Sequence, residues 1–270
     1  MERRLASGLV GPSWLLRNLT TEGPALLRFL SPAHLSTEQF AQNVRSVSTA
    51  AADCPGAVEV LDLFVEGHAV WLLRDWLPGE NLREALDVLG FLTTDQAVSL
   101  VAGVCKGLIT HAAGPILHGH LSVENVLIHL NGAIYVSDHG LLPAGARSVH
   151  PLTLPYLAPE VAAGSAPTFR SDIYALGALL YTSICGHYPL RFTGDPVQDT
   201  RVLRDHHILA PPPGVRLHGD LGSIIWRALQ PKPLDRFATA QEMLSALLSL
   251  SPQAARPSLL ARLLGNRSGA

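Results

Sequence analysis

Residues 169–186 read FRSDIYALGALLYTSICG, and from Ile173 to Cys185 apolar side chains occupy every face of a helix rather than one stripe. A helix apolar all round is enclosed on all sides. The run from 173 to 185 is shorter than the roughly 18–20 apolar residues that a membrane span needs. It is therefore a core helix, and the chain must supply other helices to surround it. With 270 residues, 47% of them hydrophobic, the chain is large enough for one sizeable domain or two small lobes.

The rest of the composition narrows the function. A formal net charge of -2 provides no field that would draw nucleic acid or an anionic membrane. The three cysteines, Cys54, Cys105 and Cys185, form neither a C-x-x-C pair nor a metal-ligand spacing, and read as isolated buried thiols of a reducing compartment. The N-terminus, MERRLASGLVGPSWLLRNL, is basic but lacks the continuous apolar stretch of a signal peptide. A soluble, cytoplasmic protein without a membrane span is expected.

Residues 1–77 are β-rich in pattern. SWLLRNL and PALLRFL are short apolar runs, and AVEVLDLFVEGHAVWLLRDWL reads as two strands joined at Glu66-Gly67. Between them, STEQFAQNVRSVSTAA has Ser36 or Thr37 as N-cap and Phe40, Val44 and Val47 on one helical face. LPGENL is a break suited to a hinge. Residues 78–251 are mostly helical: NLREALDVLG, TTDQAVSLVAGVCKGLITHAA, the core helix, LGSIIWRALQ and TAQEMLSALLSL, with a hairpin turning at Asn131-Gly132. Residues 252–270 form a tail with a short amphipathic piece at 259–264. There is no internal repeat. The expected fold class is α+β, a small β-rich lobe followed by a larger helical one.

The stretch PILHGHLSVENVLIHLNGAIYVSDHGLL, residues 115–142, places His118, Asn125 and Asp138 at the spacing of a phosphoryl-transfer site. HGHLSVENVLI resembles the catalytic loop H-R-D-L-K-x-x-N of the eukaryotic-type protein kinase family, and SDHG resembles its D-F-G. Ala158-Pro159-Glu160 matches the A-P-E signature, Asp172 leads the buried helix, and Arg236 stands where the partner of the A-P-E glutamate is found. The resemblance covers residues 5 to 250 and is strongest to the bacterial serine/threonine branch. Aminoglycoside and choline kinases share H-G-D in this loop, but the A-P-E segment and the Asp172 helix favour protein kinases. A bilobal protein-kinase-like fold is implied.

The resemblance also implies roles, several of them altered. Asn125 and Asp138 are the pair that would ligate Mg²⁺. His120 occupies the catalytic base position and Ser122 the following lysine position. Arg28 stands for the strand lysine, and its glutamate partner would come from the helix after Ser36, where Gln42 and Asn43 lie, with Glu38 a turn earlier. Leu26 replaces a small residue over the adenine, and Leu127 belongs to the same nucleotide site. Gly8 and Gly11 are what remains of the glycine loop, with Val10 and Ser13 at other glycine positions and Pro12 lacking an N–H. Arg74 lies near the hinge strand; either it or Arg28 pairs with Asp138 inside the cleft, unless Arg74 points to solvent. Gly119 replaces the arginine that would clamp a phosphorylated segment carrying Ser148, Thr153 and Tyr156. His118, Glu160, Asp172 and Arg236 are structural.

The expected function is that of a pseudokinase: a regulatory or scaffolding module with impaired phosphotransfer and weak or absent ATP binding. Its partner is a protein, with an active kinase as one candidate. The alternative is an atypical ATP- and Mg²⁺-dependent serine/threonine kinase or nucleotidyl transferase using Asp138, Asn125 and His120. Two lesser alternatives are nucleotide binding as a structural switch and a transition-metal site at His118, His120 and His139.

Overall fold

The structure, a computed structural model, describes residues 3–8, 11–17, 23–30, 37–110, 114–141 and 154–250. Val10, Ser36, Ser148, Thr153 and the tail lie outside these residues. The strands β1 (Arg3–Gly8), β2 (Gly11–Arg17) and β3 (Pro24–Leu30) lead to the helix α1 (Thr37–Ala51), and β4 (Val60–Glu66) and β5 (Ala69–Asp75) complete an antiparallel sheet of order β1-β2-β3-β5-β4. Its register sets the cleft. Ser13 pairs with Arg28 and Arg28 with Leu72; Leu15 pairs with Leu26 and Leu26 with Arg74. Because strand side chains alternate, Ser13, Leu26, Arg28 and Arg74 share one face. α1 covers part of that face, where Phe40, Ala41 and Val44 pack with Leu30, Leu63, Val70 and Leu72. The other face carries Trp14, Phe29 and Phe64 around Trp71, with ring centroids 5.6, 5.4 and 6.4 Å away.

A three-residue strand, β6 (Gly79–Asn81), then enters the helical region. There follow α2 (Leu82–Leu89), α3 (Thr94–Lys106), β7 (Ile109–Thr110), β8 (Gly114–Pro115) and the hairpin β9 (Val126–His129) and β10 (Ile134–Val136). The chain closes with α4 (Pro159–Ala162), α5 (Phe169–Cys185), α6 (Pro196–Asp205), α7 (Gly219–Ala228) and α8 (Ala240–Leu250). α2 and α3 open with reciprocal caps, Asn81 with Glu84 and Thr93 with Gln96. α5 is buried at every position from Ser171 to Cys185 and ends at a left-handed Gly186. It shares one apolar core with α3, α7 and α8.

Two expectations are corrected. α3 ends at Lys106 instead of continuing through Ile109 and Thr110, which form β7. Gly107 stops it: an added Cβ there would lie 2.8 Å from the Gly56 carbonyl oxygen, so the chain is turned by a close backbone crossing. α6 was not anticipated, although Asp195 caps it by accepting the Val197 and Gln198 N–H groups, with Pro196 in its first turn. The small antiparallel sheet followed by a mostly helical region is the expected α+β arrangement. Among the described residues no helix is long and apolar enough to cross a membrane.

Candidate nucleotide and phosphoryl-transfer site

The loop before β9 is held from below by the first turn of α5. Asp172, 4% exposed, accepts the backbone N–H groups of His118 at 2.8 Å and Gly119 at 2.9 Å. Burial pushes its carboxyl up to about 7, against the pull of those two donors. Gly119 has φ +85°, so an arginine here would carry left-handed strain. Asn125 closes the loop on itself: its Oδ1 accepts the Ser122 N–H at 2.9 Å and its Nδ2 donates to the His120 carbonyl at 3.2 Å. Ser122 is wholly buried, and its Oγ accepts the Glu124 N–H at 3.4 Å.

Three buried imidazoles meet at this point. His118 donates from Nε2 to the Ser137 carbonyl at 3.0 Å and accepts the His120 N–H on Nδ1 at 3.3 Å, which fixes its tautomer. His139 donates from Nε2 to the Gly107 carbonyl at 2.9 Å. The rings of His120 and His139 lie 4.7 and 4.8 Å from that of His118. His118 and His139 spend their N–H groups on backbone, and among the described residues no group of three or more His, Cys, Asp or Glu is placed to hold a metal, which overturns the transition-metal alternative. His120 is 6% exposed and neither ring nitrogen has a hydrogen-bond partner. Burial pulls its pKa down to about 4 despite the nearby Asp138 carboxylate, so the ring is neutral at physiological pH.

Above the loop, the cleft face of the sheet meets Asp138. Arg28 Nη1 forms an ion pair with Asp138 Oδ2, and Arg28 Nε donates to Ser13 Oγ at 3.1 Å. Burial opposes ionisation of Asp138, but Arg28, Arg74 and His120 outweigh it and hold the carboxyl below its ordinary value. Arg74 is 5% exposed, which overturns the reading in which it points to solvent. It donates from Nη1 to the Asp75 carbonyl at 3.3 Å, and its Nε–H has no partner. Burial lowers its pKa to about 10, with Asp138 opposing that shift and Arg28 adding to it. Leu26, next to Arg74 in the register, is buried, while Leu127 on β9 is half-buried. Gly8 pairs with Gly11 where β1 meets β2.

α1 sends no carboxylate to Arg28. Its single acidic residue, Glu38, is exposed, as are Gln42 and Asn43. Instead Val47 presses on the loop after Asp138, where an added Cβ at Gly140 would lie 2.7 Å from the Val47 Cβ. The family pattern marks Ser13 only as a replaced glycine. Its role as acceptor for Arg28 follows from the β2–β3 register, which the strand pattern alone does not give.

On the far side, Arg236 ties the A-P-E segment to the helical core. Its side chain is fully buried and uses all five N–H groups. Two go to the Glu160 carboxylate, at 2.7 Å each, and three to the carbonyls of Gln230, Arg170 and Pro231. Ser171 donates to the same carboxylate at 2.9 Å, and Arg236 lies 5.0 Å from the centre of the Tyr174 ring. Tyr156 is buried, edge-on to Tyr188.

Comparison with known proteins accounts for this arrangement. Residues 31–258 match the protein kinase domain. The chain is 31% identical over 250 residues to the serine/threonine-protein kinase PknB of Mycobacterium tuberculosis, an alignment covering 82% of this chain and 39% of PknB. It is 31% identical over 270 residues to the serine/threonine-protein kinase PkaB of Streptomyces coelicolor, covering 93% of this chain and 62% of PkaB. Similarity to the probable serine/threonine-protein kinase CPE1738 of Clostridium perfringens is 26% over 236 residues, covering 33% of that protein. The chain thus spans less than two thirds of the length of each of these curated relatives. With a family match across most of its length and that family's order of sheet, loop and helices, the chain belongs to the protein kinase domain family.

Proposed function

We propose that this domain is a pseudokinase: a kinase-fold regulatory or scaffolding module with impaired phosphotransfer and weak or absent binding of Mg²⁺ and ATP. One observation carries the reading. The carboxylate that would meet the metal, Asp138, is neutralised by Arg28 in a buried cleft, with a second buried guanidinium, Arg74, beside it. Mg²⁺ takes hard oxygen ligands in near-octahedral geometry. Here one Asp138 oxygen faces Arg28, and Asn125 Oδ1 already accepts a loop N–H. Two guanidinium groups also repel a divalent cation, so the residues present do not suit the metal. At the base position, His120 titrates at about 4, too acidic to take a proton from a hydroxyl efficiently near neutrality. Leu26, at the position that the resemblance puts over the adenine, is buried.

In this reading the well-satisfied groups, Asp172, Glu160 and Arg236, keep a rigid platform for a protein partner, an active kinase among the candidates. The net charge of -2 disfavours nucleic acid. A second reading, an atypical serine/threonine kinase or nucleotidyl transferase, draws on Asp138 Oδ1, which has no hydrogen-bond partner, and on the names of the relatives. A radiolabel transfer assay with Mg²⁺ and ATP on a generic protein acceptor separates them. No transfer above that of Asp138→Ala is expected; turnover that disappears in Asp138→Ala would establish the second reading instead.

A further inference from the structure

The small sheet has two faces, and α1 packs on the inner one. The outer one is apolar as well. By register, Trp14 lies beside Leu27 and Leu27 beside Leu73, while Phe29 lies beside Trp71 and Trp71 beside Phe64. All of these are exposed or half-buried, Phe64 at 40%. An antiparallel sheet with one face on a core ordinarily turns polar side chains outward on the other, and a contiguous apolar patch marks a docking place. Charge is uneven across this face. Asp62 pairs with Leu73 and Glu66 with Ala69, which sets both carboxylates on the outer face along the β4 edge, where both are exposed. Asp75, paired with Ala25, adds a third on that face, and Arg4, paired with Trp14, stands at the opposite edge on β1.

The chain carries a segment that complements both features. Residues 251–270, which lie outside the described residues, contain Arg256, Arg262 and Arg267 and no acidic residue. Within them Ser258 is an N-cap signal and Gly265 a stop, and Leu259, Leu260, Leu263 and Leu264 recur at the spacing of one helical face, with Arg262 off that face. A helix this short does not hold by itself in water, so it needs an apolar surface to lie on. The segment follows α8, which packs on α3, and α3 ends against Gly56, just before β4. The nine Cα steps from Leu250 to Leu259 span up to about 30 Å, more than the about 20 Å length of α3. We propose that residues 258–264 dock as an amphipathic helix on the outer face of the small sheet, with the leucines on Trp14, Phe29, Phe64 and Trp71 and Arg262 toward Asp62 and Glu66. The contact ties the end of the helical region back to the sheet, and it is independent of whether the cleft transfers phosphate.

The test uses the full chain. Its native cysteines are buried, so introduced thiols report by themselves. Under mild oxidation Phe64→Cys/Leu263→Cys is expected to form a disulfide within one chain, in clearly higher yield than Leu234→Cys/Leu263→Cys, whose first position is exposed in the helical region. Adding Asp62→Asn and Glu66→Lys should lower that yield, and Arg262→Glu in the same chain should restore part of it. Trp14 and Trp71 are two of the four tryptophans. Leu260→Asp/Leu264→Asp, with native cysteines only, should therefore red-shift the emission and raise its quenching by acrylamide. Equal disulfide yields from the two pairs, or emission and quenching unchanged by Leu260→Asp/Leu264→Asp, would overturn the proposal. So would a disulfide that joins two chains, or a dimer in sedimentation that persists in Leu260→Asp/Leu264→Asp, since either would show the face covered by a second copy instead.

Discussion

Arg28 supplies Asp138 with its one direct ion pair among the described residues of the buried cleft. Replacing Arg28 by Met strands the carboxylate, and urea unfolding should show a loss of about 3–5 kcal/mol. The double variant Arg28→Met/Asp138→Asn should regain part of it: the stranded carboxylate is gone and Asn tolerates the φ of +69° at this position, while Arg74 stays as a buried cation. The histidines give a second residue-scale prediction. His120 and His139 titrate near 4 in the fold against an ordinary 6.5, and His118 lies well below 6.5. The unfolded chain therefore binds more protons in that window, and stability falls as pH drops from about 6.5 toward 4. Asp172, raised to about 7, works in the opposite direction, but it is one group against three. His139→Phe should flatten the slope by up to about 1.4 kcal/mol per pH unit, read from denaturant midpoints across that range. An unchanged slope would mean that His139 titrates normally. On the sequence, the family resemblance and the need of a buried arginine for a partner leave Arg28 or Arg74 facing Asp138, with Arg74 in solvent as the alternative. Choosing between them, and finding Ser13 behind Arg28, required the strand register and the height of the loop, which depend on contacts far apart in the chain.

Elements hold together through a few junctions. Glu160 near the start of α4 and Arg236 before α8 form one, with every guanidinium N–H occupied. Glu160→Ala leaves a fully buried cation short of two bonds, and should cost about 3–5 kcal/mol. Amide exchange at residues 154–164 should speed up before global unfolding; protection that stays uniform would show that the junction is redundant. The contact of α1 with the Asp138 loop is another. Gly140→Ala adds a methyl 2.7 Å from the Val47 Cβ at a φ of +69°. A loss of about 1–3 kcal/mol is expected from overpacking, and Val47→Ala in the same chain should recover part of it. Element identity was legible where a local signal decides: the Thr/Asp start of α3, the turn at Asn131-Gly132, and α5 with its Gly186 stop. The end of α3 was not, because Gly56 approaches Gly107 from another part of the chain. α6 has an Asp-Pro start but only a weak apolar face, so its periodic signal is faint.

At the scale of the molecule, the enclosure of α5 follows from one all-apolar segment that had to be surrounded, and the α+β order from the strand patterns that precede the helical ones. Leu179, fully buried in that helix, should cost about 2–5 kcal/mol on truncation to Ala. The site was legible as a family constellation, because Asn125, Asp138, Glu160, Asp172 and Arg236 keep their spacing. What the cleft holds was not, because filling it depends on Leu26, Arg28 and Arg74 from two paired strands meeting a loop from the helical region. Under the proposed reading, the whole is a kinase frame whose candidate nucleotide cleft carries the Arg28–Asp138 ion pair. Titration of Mg²⁺ and ATP into the purified chain, followed by the melting temperature, probes that cleft. The cleft described here predicts no saturable shift beyond that seen with EDTA and ATP. A saturable, Mg²⁺-dependent rise that vanishes in Asp138→Ala would contradict it.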